Sequence, residues 1–242
     1  MRSAGIGTRQ QTIGEFVRPP HTVRPKVFGI GLNKTGTTTL AASLRILGYE
    51  RHSGYRHDLL VHYRNGNLEP IFCVLEAHES FEDWPYPLMY REIYARYGTS
   101  ARYILSTRTS ADVWLASLKW HALRTDPDSH SRRLSYGFNY PHGFEAKHLA
   151  MYEAHQREVL DFFRNQGADD VLQQVCWERG DGWKKLCRFL QMPIPAQEFP
   201  HENSGLLPLP ADHAAENQRR IAAQLRTLAT QTPSPQGGTM VT

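Results

Sequence analysis

The chain has 242 residues, 40% of them hydrophobic, which is enough for one sizeable core and does not call for a second. The formal charge is +4 and the basic residues are scattered, with only short pairs such as Arg132-Arg133 and Lys184-Lys185, so a nucleic-acid groove is a poor fit and a small polyanion a better one. Three cysteines, Cys73, Cys176 and Cys187, with no C-x-x-C pair, exclude a disulfide framework or a cysteine zinc site and point to a reducing cytoplasm.

Residues 1–25, with Arg, Gln, Thr and prolines, lack the apolar centre of a secretory signal and read as an N-terminal extension; no stretch approaches the ~20 apolar residues of a membrane span. Val27 to Ile30 is an apolar run typical of a buried strand, and Thr39 to Leu47 sets leucines, an isoleucine and alanines at helical spacing. A glycine-rich turn lies between them. A nucleotide P-loop reads G-x-x-x-x-G-K-[ST]. Gly31 and Gly36 keep that separation, but Thr37 stands where the lysine belongs, and Lys34 lies two residues before the second glycine. The amides of Thr37 to Thr39 open a helix and have no partner within it, and Gly36 lets an anion approach the backbone, so the turn reads as an anion site. Lys34, inside the loop, is placed for the bridging or leaving oxygen of a bound phospho-group.

Tyr49 to Gly54 reads as a second strand, followed by a polar helical stretch to about Asn65. Pro70 to His78 sets Ile71, Val74 and Leu75 on one helical face and leads into Phe81-Glu82-Asp83, where Pro85 and Pro87 mark a strand end or pocket loop. Tyr86 to Tyr97 reads as an amphipathic helix, Ala101 to Ser106 as a buried strand, and a further helix starts near Ala111. Residues 124–143 have no periodicity and are expected to form a long loop over the site. Glu145 to Asn165 returns to helical spacing, Val171 to Trp177 reads as a last strand and Gly182 to Leu190 as a short helix, with Trp183 and Phe189 as packing residues. Pro210 to Gln231 is a helix whose thin stripe, Ile221, Leu225 and Leu228, suits packing on the domain or on a second subunit as a homodimer. Residues 232–242 have the composition of a disordered tail.

This alternation predicts an α/β fold of three layers, α/β/α, with a central parallel sheet whose ligands bind at the carboxyl ends of the strands. Lys34, Asp83 and Arg108 all fall just past strand ends. Arg108, followed by a helix, has the charge and fork geometry for a phosphate. Asp83 becomes a proton acceptor if Trp84 and Phe81 desolvate it, or else it serves as a local cap or ion-pair partner. His52, at the end of the second strand, is the rival base, since an imidazole is the side-chain type whose reference pKa suits proton transfer near neutral pH. His52, His57 and His62 recur every five residues, off any single helical face, so no metal cluster is expected.

The loop pattern K-[ST]-G-T-T at Lys34 to Thr38 resembles the 5′-phosphosulfate loop of sulfotransferases that use 3′-phosphoadenosine 5′-phosphosulfate (PAPS). Phe81-Glu-Asp-Trp-Pro85, Tyr103 to Arg108, Tyr140-Pro-His-Gly143, Gly182 to Leu190 and Phe199 to Asn203 follow in the family's order, over roughly residues 26–205. The resemblance implies a P-loop-like nucleotide-binding fold. It also implies metal-independent, in-line transfer of a sulfuryl group from PAPS to a hydroxyl, or an amine, of a small-molecule, glycan or lipid acceptor, leaving 3′-phosphoadenosine 5′-phosphate (PAP). Asn33, Lys34, Thr35, Gly36, Thr37 and Thr38 would hold the 5′-phosphosulfate. In the family an arginine, with a serine eight residues later, binds the 3′-phosphate. Arg108 matches, but Ala116 occupies the eighth place and Ser117 follows it. Asp83, two residues before Pro85, stands where cytosolic members carry a histidine base. Trp120, Tyr136, Phe138, Tyr140 and His142 would line the acceptor pocket or stack on adenine, and the backbone of Phe199 to Asn203, or Asn203 itself, would approach the donor. A small-molecule kinase would need a lysine at Thr37 and an acidic Mg²⁺ ligand; a non-catalytic nucleotide-binding protein is the other alternative.

Overall fold

Val27 and Phe28 are wholly buried neighbours on strand β1 (Val27–Gly29) whose side chains leave opposite faces, and each face carries its own core. The computed structural model describes residues 24–201 and 211–231. After β1 come α1 (Thr37–Ile46), β2 (His52–Ser53), α2 (His57–Arg64), α3 (Glu69–Ala77), β3 (Ser80–Phe81), α4 (Tyr90–Tyr97) and β4 (Arg102–Ser106). The second half holds α5 (Ala111–Arg124), α6 (Ser131–Tyr136), α7 (Glu145–Asn165), β5 (Leu172–Val175), α8 (Trp183–Leu190) and α9 (Ala211–Gln231). The strands form one parallel sheet in the order β2-β3-β1-β4-β5.

On one face Phe28 stacks on Phe81 of the adjacent strand, 4.5 Å between ring centres, and Tyr103 joins Phe163 of α7 at 4.7 Å. Ile71 and Leu75 of α3 and Ile93 of α4 complete this core. On the other face Val27 and Ile104 meet Leu40 and Leu44 of α1 and Trp183, Leu186 and Leu190 of α8. Each such side chain, fully withdrawn from water, contributes about 1.5–3 kcal/mol. A third cluster, Leu32, Trp84, Trp114, Leu118, Tyr136 and Tyr152, sits around the loops beyond the strands. Because all strands run the same way, the loops following β1, β3, β4 and β5 emerge at one edge.

Four segments differ from expectation. The second strand, expected over Tyr49 to Gly54, is reduced to His52–Ser53. The stretch expected to be helical from Tyr86 to Tyr97 is split into a 3₁₀ turn, Tyr86–Leu88, and α4, since Pro87 cannot donate an amide within a continuous helix. The last strand is shorter, with 3₁₀ turns Asp169–Val171 and Trp177–Arg179 on either side. Residues 124–143 are not a plain loop, because they contain α6. That helix offers little periodic apolar signal; it is held by the buried Arg132, whose guanidinium donates to the carbonyl of Asn139 at 2.5 Å and to the Thr125 hydroxyl. Helix α9 packs on α5 of its own domain, with Ile221 against Ala122 and Tyr140. The expected disordered tail, Asn203 and most of the N-terminal extension lie outside the described residues.

Candidate active site

The loop after β1 turns into α1 at Gly36, whose φ of +89° puts it in the left-handed region where a side chain is strained. A Cβ there would also meet Trp177 Cδ1 at 2.3 Å, so the turn demands glycine twice over. Helix α1 starts with no side-chain cap and no acid in its first turn, leaving its positive end open to an anion. Thr37 is buried at this start and Thr38 is exposed beside it.

The loop is clamped by its surroundings. The Thr35 hydroxyl donates to the Leu32 carbonyl at 2.6 Å and meets the Ser106 hydroxyl at 2.6 Å, so this side chain braces the loop against β4, and only its backbone is left for a phosphate. Asn33 is buried; its carbonyl accepts the Trp114 indole N–H at 2.9 Å and its side-chain oxygen accepts the Tyr136 hydroxyl. The Trp177 indole N–H donates to the Gly36 carbonyl at 3.1 Å. Lys34 sits between these clamps at φ +66°. Burial lowers the pKa of its ammonium, and the Arg108 and Arg124 charges lower it further, while Asp83 opposes them.

Arg108 leaves the end of β4 with its backbone amide on the Tyr152 hydroxyl at 2.8 Å. Its guanidinium donates to the Lys34 carbonyl at 3.0 Å and to Glu178 Oε1 at 2.5 Å, while its Nε is buried and has no protein partner. The same Glu178 accepts from the Thr109 amide at 3.0 Å and the Thr109 hydroxyl at 3.1 Å, and the Arg108 hydrogen bond lowers its pKa. Ser117 is half-buried on α5, at helical spacing from His121 and Arg124. Burial first, then the charges of Lys34, Arg132 and Arg124, hold the His121 imidazole down to about 3.

Asp83 follows β3 at φ +63° and accepts its neighbour's amide, Trp84 N–H, at 2.7 Å. Burial, and then the Glu82 charge, push its carboxyl up to about 7 against the pull of Lys34. His52 does not end the second strand as expected; it opens β2, in register with Ser80 at the start of β3, and its side chain is engaged elsewhere. Its Nδ1 pairs with the Ser80 hydroxyl at 2.9 Å, and its Nε2 lies 3.6 Å from Glu82 Oε1. Both His52 Nε2 and Glu82 Oε2 are buried without a hydrogen-bond partner.

The charges of Asp83 and Arg108 both act on Lys34, so these three residues share one electrostatic neighbourhood. His52 forms a separate pair with Glu82 beside it. Of the aromatic residues expected at the acceptor pocket, Tyr136 reaches the loop; Trp120 is exposed, Phe138 stacks on Phe144 at 4.1 Å, and Tyr140 is tied to α9. Sequence reasoning missed Glu82, His121, Arg124, Trp177 and Glu178. Glu82 was signalled by its place in the Phe81 to Pro85 motif, and His121 and Arg124 by their helical spacing from Ser117. Glu178 lies 70 positions from Arg108, with no local pattern to link them.

The donor set suits a phosphosulfate nucleotide: an uncapped helix start, a lysine in the loop, and an arginine with a buried N–H to spare. Among the described residues no three His, Cys, Asp or Glu side chains are grouped as a metal site, and no helix is long and apolar enough to cross a membrane.

The chain is similar to the Ava biosynthesis cluster protein M of Aspergillus versicolor, 25% identical over 217 residues that cover 73% of this chain and 80% of that protein. It also resembles the crystal structure of a sulfotransferase from Alicyclobacillus acidocaldarius, at 17% identity and a TM-score of 0.46, over 87% of this chain and 97% of the other. The sulfotransferase domain matches residues 26–206, three quarters of the sequence and every strand of the sheet, and on that match the chain belongs to the sulfotransferase domain family.

Proposed function

We propose that this protein transfers a sulfuryl group from PAPS to a hydroxyl, or an amine, of a small-molecule, glycan or lipid acceptor in the cytoplasm. The observation that carries the reading is the pairing of an open, acid-free helix start beside Lys34 and Arg108 with a carboxylate, Asp83, whose pKa is raised toward neutrality. PAPS supplies the activated sulfuryl group, bonded to a phosphate that leaves as PAP. The α1 amides and the Thr37 and Thr38 hydroxyls hold the 5′-phosphate, and Lys34 stabilises the negative charge that grows on the bridging oxygen. A sulfuryl group carries less charge than a terminal phosphoryl, so a lysine and backbone amides can meet the demand. Arg108, through its free Nε, and Ser117 take the 3′-phosphate. Asp83 accepts the acceptor's proton at its carboxylate, with a pKa matched to neutral pH. His52, next to Glu82, is the second candidate for that role.

Calorimetry tests the donor. PAP is expected to bind and raise the melting temperature without Mg²⁺, with ATP doing much less. Tighter binding of Mg·ATP than of PAP overturns the reading in favour of a kinase.

A further inference from the structure

Helix α9 lies beyond the residues matched by the family, yet its inner face is bonded to both ends of the 124–143 segment. Asn217 is wholly buried. Its amide donates to the carbonyls of Leu123 at 3.2 Å and Thr125 at 2.8 Å, and its oxygen accepts the Tyr140 hydroxyl at 2.8 Å. Arg220 donates to the Pro127 carbonyl at 2.8 Å and pairs with Asp128 at 2.9 Å. Gln224 donates to the carbonyls of His142 at 2.6 Å and Tyr140 at 3.3 Å. The helix therefore grips the segment where it leaves α5 and again where it approaches α7.

Between those grips the segment crosses to the site. Arg132 bonds both Thr125 and Asn139, and Tyr136 at the end of α6 reaches Asn33 in the donor loop. The apolar stripe of α9 is thin, with Ile221 buried and Leu225 exposed, and hydrophobic contact of that kind tolerates sliding. A buried, fully bonded asparagine does not, because a shifted register would leave its amide and its partners without hydrogen bonds.

We propose that Asn217 is a positioning residue that fixes α9 as a strap, holding residues 124–143 closed over the Lys34 loop and keeping bulk water from the reacting group. This rests on the PAPS reading above. With the strap loosened, water attacks the sulfur and the bond from sulfur to the bridging oxygen of the 5′-phosphate breaks; sulfate and PAP leave, with one proton of the water taken up by the released phosphate and the other passing to solvent.

The test compares the full-length chain with its Asn217→Leu and Tyr140→Phe variants. In Asn217→Leu, amide hydrogen exchange through 125–143 is expected to speed at least tenfold while β4 is unchanged. PAPS breakdown without acceptor is expected to rise about tenfold, with the Kd for PAP within threefold of wild type. A folded variant with wild-type exchange in 125–143, or with faster exchange but no added breakdown, overturns the proposal. If Asn217→Leu does not fold, Tyr140→Phe, which deletes one of the bonds, is expected to shift both readings the same way by a smaller factor, and no shift there overturns it. Failure of the wild-type chain to bind PAP counts against the donor reading, and the exchange rates then decide the strap by themselves.

Discussion

Lys34 and Asp83 follow neighbouring strands, β1 and β3, and both adopt left-handed backbone conformations, at φ +66° and +63°. Such a conformation costs a non-glycine residue about 1–2 kcal/mol, so the two sites keep these side chains at a local expense. Each charge acts on the other: Asp83 raises the Lys34 pKa and Lys34 lowers that of Asp83. The loop ammonium and the candidate base therefore feel each other's charge, although Glu82 acts on Asp83 more strongly than Lys34 does.

Lys34→Ala is expected to lower turnover by roughly 10²-fold or more, since a preorganised charge on the leaving oxygen contributes several kcal/mol to the transition state. PAP affinity changes less than rate. Rates of PAP formation from PAPS, with circular dichroism to show an intact fold, check this; near-wild-type turnover removes Lys34 from the mechanism.

Asp83→Asn is expected to lower turnover by about 10² to 10⁴ and to remove the rise in rate as pH passes about 7, where the carboxylate becomes free to accept a proton. Stability moves the other way. The folded pKa lies above the unfolded value, so the contribution of Asp83 to stability is fully present below the unfolded pKa, near 3.8, and is lost as pH rises through about 7. The variant has no such titration, so its melting temperature gains on wild type between pH 4 and pH 8. An active Asp83→Asn beside a His52→Ala that is inactive yet binds donor and acceptor would move the base to the His52 and Glu82 pair.

Arg108→Ala should weaken PAP by about 2–5 kcal/mol, the range for a buried charge contact left unpaired. Adenosine 5′-phosphosulfate, which lacks the 3′-phosphate, should lose far less, and Ser117→Ala should show the same selectivity in milder form. Titration calorimetry with the two nucleotides measures the difference. Equal losses in the Arg108 variant mean that it does not read the 3′-phosphate.

Gly36→Ala is a test of the turn itself. The left-handed backbone costs about 1–2 kcal/mol, and the new Cβ must push aside an indole whose nearest atom is 2.3 Å away. Thermal melts should show a clear loss of stability, partly restored when Trp177→Ala removes the obstacle. An unchanged melting temperature contradicts the geometry.

The parallel sheet was legible because Val27 to Ile30 and Ala101 to Ser106 are short apolar runs set between helices of clear periodicity, Thr39 to Leu47 and Glu145 to Asn165. The tight turn between β1 and α1 was legible because its signal is local: Gly31, Gly36, a lysine and threonines within a few residues. Helix α6 was not, because its fold depends on Arg132 reaching two polar partners rather than on an apolar stripe. Nor was the Arg108 and Glu178 pair, because the β4 and β5 loops meet only once the sheet has formed. The sequence could not separate the two base candidates either; the Glu82 charge reaches both, and what divides them is that Asp83 also feels the Lys34 charge while His52 is paired with Ser80 and Glu82.

The indole of Trp177 touches the turn that opens α1, and the next residue, Glu178, holds Arg108. One 3₁₀ turn therefore spans the two loops assigned to opposite ends of the nucleotide. Its fluorophore gives the protein an intrinsic optical sensor, so occupancy of the loop can be followed by tryptophan emission without a label, acceptor or turnover. Among the five tryptophans of the chain, a Trp177→Phe difference spectrum isolates that signal.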